Sequence, residues 1–392
     1  MLQRSSIWKT LFLPLVFVLS ICSCVSSFAQ LSGTYTVGVG GDFPSIDSAF
    51  QKLSMDGVAG AVTFTLTDTA YVAPGKPLKN LRPATPRHAI IGGEREELSL
   101  PSAYEFDLPT DGIPALTLAG PIVGASATNR ITFRPAAGRA VKIVGNGAWV
   151  IRLLDASYFT FDGINSGGTS LRLQAIAGNG LQIEGNSDNV IVQDTQIGTP
   201  SFSAILLQSA ANGIPDSTLV QRNTVDSYSF NGFFGVNLAV GTGVSRGLRL
   251  SNNNFGTATD SIAQAGIVVQ HTDGAWINNN TVRHLRRAGD TFGIGAITRH
   301  FRTRIWNNKI FDVRLHGTTG GILRGIRLFG TLGDTTRSAI YNNMIFDLDY
   351  ASTGTATGSS IRSIQHTDLI LDTIAYNSIW LTGASIASVP NA

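Results

Sequence analysis

Cysteine occurs only twice in this 392-residue chain, at Cys22 and Cys24. Everything after residue 30 therefore lacks disulfides, thiol chemistry and Cys-based zinc sites. Charge is scarce too. Charged residues make up 14% of the chain, with 29 basic against 26 acidic. That balance argues against a nucleic-acid binder, which needs a basic field. After the N-terminus no run of eighteen apolar residues occurs, so no spanning helix is expected there. Lys and Glu are scarce, whereas β-branched residues and turn formers, including 43 Gly, are plentiful. This composition predicts an all-β protein.

The first thirty residues read differently. Arg4 and Lys9 precede an apolar run from Leu11 to Ile21, and Ser27-Phe28-Ala29 offers a small-x-small cleavage site. This is the pattern of a secretory signal peptide spanning 1–29. Removing Arg4 and Lys9 from the 29 basic residues leaves 27 against 26 acidic, a net charge of +1. Ile21-Cys22-Ser23-Cys24 loosely resembles a bacterial lipobox, which makes a lipid anchor at Cys24 the alternative. Cys at the second position fits that motif poorly, so free secretion or surface exposure is the expectation.

One short phrase recurs down the second half. An apolar residue, two residues of varying type, an Asn, one further residue and a second apolar residue occupy 220–225, 250–255, 277–282, 305–310, 340–345 and 374–379. The Asn positions are Asn223, Asn253, Asn280, Asn308, Asn343 and Asn377, spaced by 30, 27, 28, 35 and 34 residues. Such a period marks a solenoid, whose units bury their cores only by stacking. Each unit divides into three short strands. The first carries a small residue and alternating apolars: 180–183, 204–207, 235–238, 266–269, 295–298 and 325–328. The second ends at the Asn pair, which predicts a tight bend because Asn tolerates the left-handed conformation. A third strand contributes one inward apolar residue. The Asn side chains are expected to form a hydrogen-bonded ladder. Upstream, Ser45 predicts an N-cap for a helix with Ile46, Ala49, Phe50 and Leu53 on its apolar face. The helix would cover the open end of the stack. Pro-rich residues 67 to 120 read as irregular loops around one or two coils.

These repeats resemble the right-handed parallel β-helix, or pectin-lyase-like, superfamily. The segment from Gly33 through Phe43-Pro44-Ser45-Ile46 to Phe64 is similar to the start of secreted bacterial β-helix proteins. The resemblance covers 33–392 and implies an all-β right-handed parallel β-helix with a short N-terminal capping helix. The expected division is signal peptide 1–29, opening strand and capping helix 30–60, and β-helix 61–392. The chain stops at Ser388–Ala392 without an amphipathic cap. A C-terminal domain of the same chain, or a partner, is expected over the last coil.

Enzymes of that superfamily work on the outward face of the first strand, with acidic clusters holding calcium or with paired acids. The outward lines expected here are Gln182, Leu206, Asn237, Val268, Ile297, Arg327 and Glu184, Gln208, Ala239, Gln270, Arg299, Phe329. They hold one carboxylate. Glu184 and Arg299 would lie four coils apart, roughly 19 Å, too far to act on one bond. Gln270-His271-Thr272-Asp273 and Gln365-His366-Thr367-Asp368 repeat a phrase and read as turn-closing groups. His316-Gly317 resembles a pair found in hydrolase members, without the matching acids.

The strongest charge feature spans 275–327. Arg283, Arg286, Arg287, Arg299, Arg302, Arg304, Lys309, Arg314, Arg324 and Arg327 face only Asp290 and Asp312. At one offset successive coils carry Arg249, Trp276 and Arg304; two residues on, they carry Trp306 and Tyr341. Arg over Trp can form a cation–π stack. Arginines for carboxylates or sulfates and aromatics for sugar rings suit an anionic glycan. The ligand-binding candidates are therefore Arg249, Trp276, Arg286, Arg299, Arg304, Trp306, Arg327 and Tyr341. A solvated face of arginines is the bland alternative. The expected function is a non-catalytic scaffold or glycan-binding protein, with acidic polysaccharide as partner and no cofactor. The alternative is a polysaccharide lyase or glycoside hydrolase on acidic glycan, with Arg299, His284, His300 or His316 as a candidate base.

Overall fold

The computed structural model describes residues 30–381 except 73–75, 78–81, 84–88, 92–93, 97–103, 106–115, 146, 166–167, 177, 199–202, 210–212, 227–230, 236–243, 259–260, 288, 317–320 and 352–359. The expected signal with Cys22 and Cys24, the positions Asn237 and Ala239, and the stretch 382–392 lie outside the described residues.

Each coil lays one strand into each of three long sheets. In one coil these are Ala265–Asp273, Trp276–Asn278 and Thr281–Arg287; in the next they are Thr291–Phe301, Arg304–Trp306 and Lys309–His316. Equivalent strands pair in parallel from coil to coil. The second sheet runs in sequence order from Leu31–Val37 to Thr373–Ala375. Parallel strands joined by crossovers take the right-handed path, and the result is a right-handed parallel β-helix.

The alternation of the sequence builds the core. Ile267, Ile294 and Ile326 stack in the first sheet, Ile277, Ile305 and Ile340 in the second, and Val282, Ile310 and Ile345 in the third. All nine are fully buried. The corner between the second and third sheets is the Asn bend. Its first residue takes the left-handed conformation (Asn252 φ 58°, Asn279 φ 55°, Asn307 φ 55°, Asn342 φ 54°). Its second residue turns inward and joins the ladder: Asn253, Asn280, Asn308 and Asn343 are each 1% exposed.

The helix Ile46–Asp56 seals the N-terminal end. Ser45 caps it, accepting from Ser48 N at 3.1 Å. Ile46, Ala49, Phe50 and Leu53 are buried. Phe50 stands edge-on to Phe133 (5.3 Å) and Phe159 (6.2 Å), closing an aromatic stack that includes Phe64.

The first sheet corrects the expected outward lines. Gly293 aligns with Gly266 and Gly325, because Phe292 pairs with Ala265 and Arg324. A Cβ at Gly293 would lie 2.5 Å from Ile310 Cγ2 and 2.7 Å from Gly325 O. Close packing against the third sheet therefore selects the small residue. Gly295 instead pairs with Val268, and Gly235 with Val269. The true line is Gln182, Leu206, Phe234, Val268, Gly295, Arg327 and Gln365. Ile297 moves to the line of Gln270 and Phe329. Arg299 leaves both lines and sits at a register shift, with φ 50°. The two Gln-His-Thr-Asp phrases are also two residues out of step, since Gln365 stands opposite Arg327 and Gln270 opposite Ile297.

Among the described residues no helix is long and apolar enough to cross a membrane.

Candidate functional site

On the second sheet Leu250, Ile277 and Ile305 point inward, so the residues flanking them face solvent. One outward column reads Leu219, Arg249, Trp276, Arg304, Ala339; the next reads Gln221, Ser251, Asn278, Trp306, Tyr341. The expected Arg–Trp–Arg stack is present. The Arg249 guanidinium carbon lies 4.7 Å from the Trp276 ring centroid, and that of Arg304 lies 6.0 Å from it. Trp276 is 38% exposed, which is large for tryptophan and leaves part of the indole open to solvent. Trp306 meets Trp276 edge-on at 5.9 Å and stacks on Tyr341 at 5.9 Å, with 11° between the rings. The guanidinium groups of Arg249 and Arg304 make no hydrogen bond or ion pair among the described residues. Aromatic faces hold them while their N–H edges stay open.

The other basic residues do not join this strip. They divide among the first sheet, the third sheet and the bend at Arg302, because residues close in sequence are sent to different faces of the coil. Arg302 pairs with Asp273 at 2.7 Å. Lys309 sits over Phe311 (4.9 Å) and Phe346 (5.4 Å) on the third sheet. On the first sheet Arg324 is 2% exposed and pairs with Asp290 at 3.1 Å. Arg327 lies over Phe329 (4.9 Å) and Phe292 (5.9 Å). Arg286 belongs to a network on the third sheet, and Arg299 to the register shift in the first. Of the eight candidates the structure thus assembles five: Arg249, Trp276, Arg304, Trp306 and Tyr341. It separates Arg286, Arg299 and Arg327 from them.

The third-sheet network had no expected counterpart. His284, Asp312 and Asp347 share one left-handed bend position (φ 55°, 54° and 52°). Asp312 accepts from Arg286 Nη2 at 2.6 Å and lies 3.0 Å from His284 Nδ1. Arg314 bridges Asp347 (2.7 Å) and Asp349 (3.0 Å). The signal was in the sequence, since His284, Asp312 and Asp347 each stand four residues after a ladder Asn. Burial alone would raise the Asp312 carboxyl, but hydrogen bonds from Arg286 and His284, with their charges, outweigh it and hold the carboxyl below the usual range. A carboxyl lowered by folding stabilises the fold above its unfolded value, and that contribution fades as pH falls through the folded value. Asp312→Asn should therefore flatten stability against pH below about pH 4, the unfolded carboxyl range. Thermal unfolding of both proteins between neutral and acid pH checks this. An unchanged acid limb would show that Asp312 contributes nothing.

Two of the three candidate histidines, His284 and His300, are engaged within the fold. His300 is fully buried, with Nδ1 3.2 Å from Ser338 Oγ. His284 Nδ1 lies between Asp312 and Arg286, the latter at 3.2 Å. His316 pairs in the third sheet with Ala351, and its side chain lies outside the described residues. On the first sheet Glu184 is bound by Arg152 (2.7 Å) and Gln182 (2.8 Å). Among the described residues no three His, Cys, Asp or Glu side chains gather to hold a metal ion.

No protein-family model matches the chain, and no curated protein is detectably similar to it. Similar solved structures include the GH136 lacto-N-biosidase of Eubacterium ramulus, at 8% identity and TM-score 0.46 over 96% of this chain and 71% of that one. The Family 28 exopolygalacturonase of Yersinia enterocolitica aligns at 11% identity and TM-score 0.30, over 81% of this chain and 60% of the enzyme. The surface protein and adhesin PfbA of Streptococcus pneumoniae aligns at 10% identity and TM-score 0.32, over 86% and 94% respectively.

Proposed function

We propose that this is an exported β-helix protein that binds an anionic glycan along the outer face of its second sheet without cleaving it. The observation that carries the reading is the column Arg249–Trp276–Arg304 beside Trp306–Tyr341. Coils rise by about 4.8 Å, so cations and aromatic faces recur at about the scale of a sugar ring. Rings stack on aromatics, and carboxylates or sulfates take the open guanidinium edges. Export is supported by the charge-flanked apolar run before Ala29. The scaffold reading is supported by the engagement of the other charged groups: Glu184, Asp312, Asp347 and Asp349 are all held by arginines.

The test is retention of the purified protein on a uronate polymer, a sulfated polymer and neutral dextran, with parallel assays for unsaturated products and reducing ends. Expected is retention on the anionic polymers, reversed by about 0.5 M salt, where screening is strong. Trp276→Ala with Arg304→Ala should weaken it about tenfold, the scale of one lost charge-assisted contact. Turnover of any polymer would replace this reading with the enzymatic one. Equal retention on dextran would remove the charge argument.

A further inference from the structure

A cavity of about 260 Å³ opens at the N-terminal end of the strip. It lies where the chain bends from the first sheet into the second. One left-handed residue stands at this bend in successive coils: Tyr158, Asn189, Ser217, Gly247, Gly274, Arg302, Arg337 and Leu371, with φ between 49° and 71°. The column is bulky at Tyr158 and again from Arg302, and small in between. Ser217 and Gly247 leave the gap that forms the cavity. Ile191 and Leu219 line it from the adjoining strands, and Arg249, the first cation of the strip, lines it as well.

Arg130 lines the cavity from the other end. It is anchored before any ligand arrives. Its Nε donates to Thr160 Oγ1 (3.2 Å), and Nη2 donates to Phe159 O (3.2 Å) and Asn189 O (2.6 Å). Nη1 has no partner among the described residues. Carboxylates do lie close by, since Asp188 and Asp216 precede Asn189 and Ser217. Asp188 Oδ1 accepts from Asp216 N (2.7 Å), and Asp216 Oδ1 accepts from Arg246 N (2.6 Å), so both are turned to backbone donors. Neither lines the cavity.

We propose that this cavity binds a single anionic sugar unit, with its carboxylate on the open Nη1 edge of Arg130 and its ring against Ile191 and Leu219, pointing towards Arg249 at the far end. An anchored cation, two apolar walls and a volume just below the roughly 300 Å³ at which sites for larger ligands begin suit one acidic ring. The proposal rests on the glycan reading of the strip and gives that strip a defined end.

The probe is a uronate disaccharide, compared with its methyl ester and with a sulfated disaccharide, by titration calorimetry. The free carboxylate should bind about tenfold tighter than the ester, the scale of a charge-assisted hydrogen bond. Gly247→Asn keeps a residue that tolerates φ 68° and places an amide in the cavity. It should remove the carboxylate preference while retention on long polymer persists. Ser217→Asn, at φ 56°, should act in the same way and serves if the first variant fails to fold. No disaccharide binding by the unaltered protein, equal binding of acid and ester, or unchanged binding by both variants would each overturn the proposal. A sulfated disaccharide that outcompetes the uronate would overturn the carboxylate assignment. If Trp276→Ala weakens polymer retention while the cavity variants change nothing, the cavity fails and the strip stands. If polymer retention ignores Trp276, the strip itself fails.

Discussion

Asn280→Ala should lower unfolding free energy by about 2–6 kcal/mol, from about 1–3 for each buried backbone group left without a partner. Two such groups are at stake. Asn280 Oδ1 accepts from Asn253 N at 3.0 Å, and its Nδ2 donates to Leu250 O at 2.9 Å. The side chain also bonds both neighbours in the ladder, Asn253 Nδ2 at 2.9 Å and Asn308 Oδ1 at 3.0 Å. Alanine removes all four contacts and leaves the backbone groups where water cannot reach them. Asn280→Asp separates the two halves of the interaction, because it keeps the acceptor and loses the donor. Urea unfolding measures both, read from the midpoint at constant slope. A change below about 1 kcal/mol for alanine, the net value of an ordinary hydrogen bond, would mean that the ladder decorates the bend rather than holding it.

Phe133→Ala should cost about 3–5 kcal/mol, the usual range for emptying a fully buried phenylalanine site. Phe133 is 1% exposed and sits between Phe64 (4.7 Å) and Phe159 (5.4 Å), with Phe50 of the helix against its edge. The aromatic stack belongs to the second sheet, where the strands Val58–Leu66, Ile131–Pro135 and Phe159–Asp162 are neighbours. Losing its middle ring should loosen the helix as well as the coil. Hydrogen exchange of residues 46–56 alongside thermal unfolding tests that coupling. Faster exchange in the helix and in the strands that carry the aromatic stack, with little change in the later coils, is the expected result. Faster exchange in those strands with none in the helix would mean that the helix does not depend on the stack.

How much was legible depended on which corner of the coil carried a marker. The second-to-third corner is labelled by Asn in every late repeat, and there the reading was accurate to the residue. Arg249, Trp276 and Arg304 could be placed in one column by counting back from Asn253, Asn280 and Asn308. The helix was equally clear, because Ser45 and the spacing of Ile46, Ala49, Phe50 and Leu53 speak for the same answer. The first sheet has no such label. Gly293 and Gly295 both fit an alternating pattern, and only the volume of Ile310 beneath Gly293 chooses between them. Choosing Gly295 moved Ile297 and Arg299 out of place. The charge run failed for another reason. A window of linear sequence takes in all three faces of a coil, so ten cations close in sequence were read as one patch. The cavity beside Arg130 has no signature in the sequence, because it is made by small residues at a bend, and a missing side chain leaves no motif.

From Arg249 to Asn254, Trp276 to Thr281, Arg304 to Lys309 and Ala339 to Met344 the chain takes the same number of steps round the Asn bend. Differences in repeat length therefore enter elsewhere, at the other two corners and at the register shifts of the first sheet. The outer surface of the second sheet behaves as a ruler, graduated by the backbone and insulated from whatever the loops elsewhere gain or lose. Foreign segments grafted at the variable corners should leave those graduations unmoved.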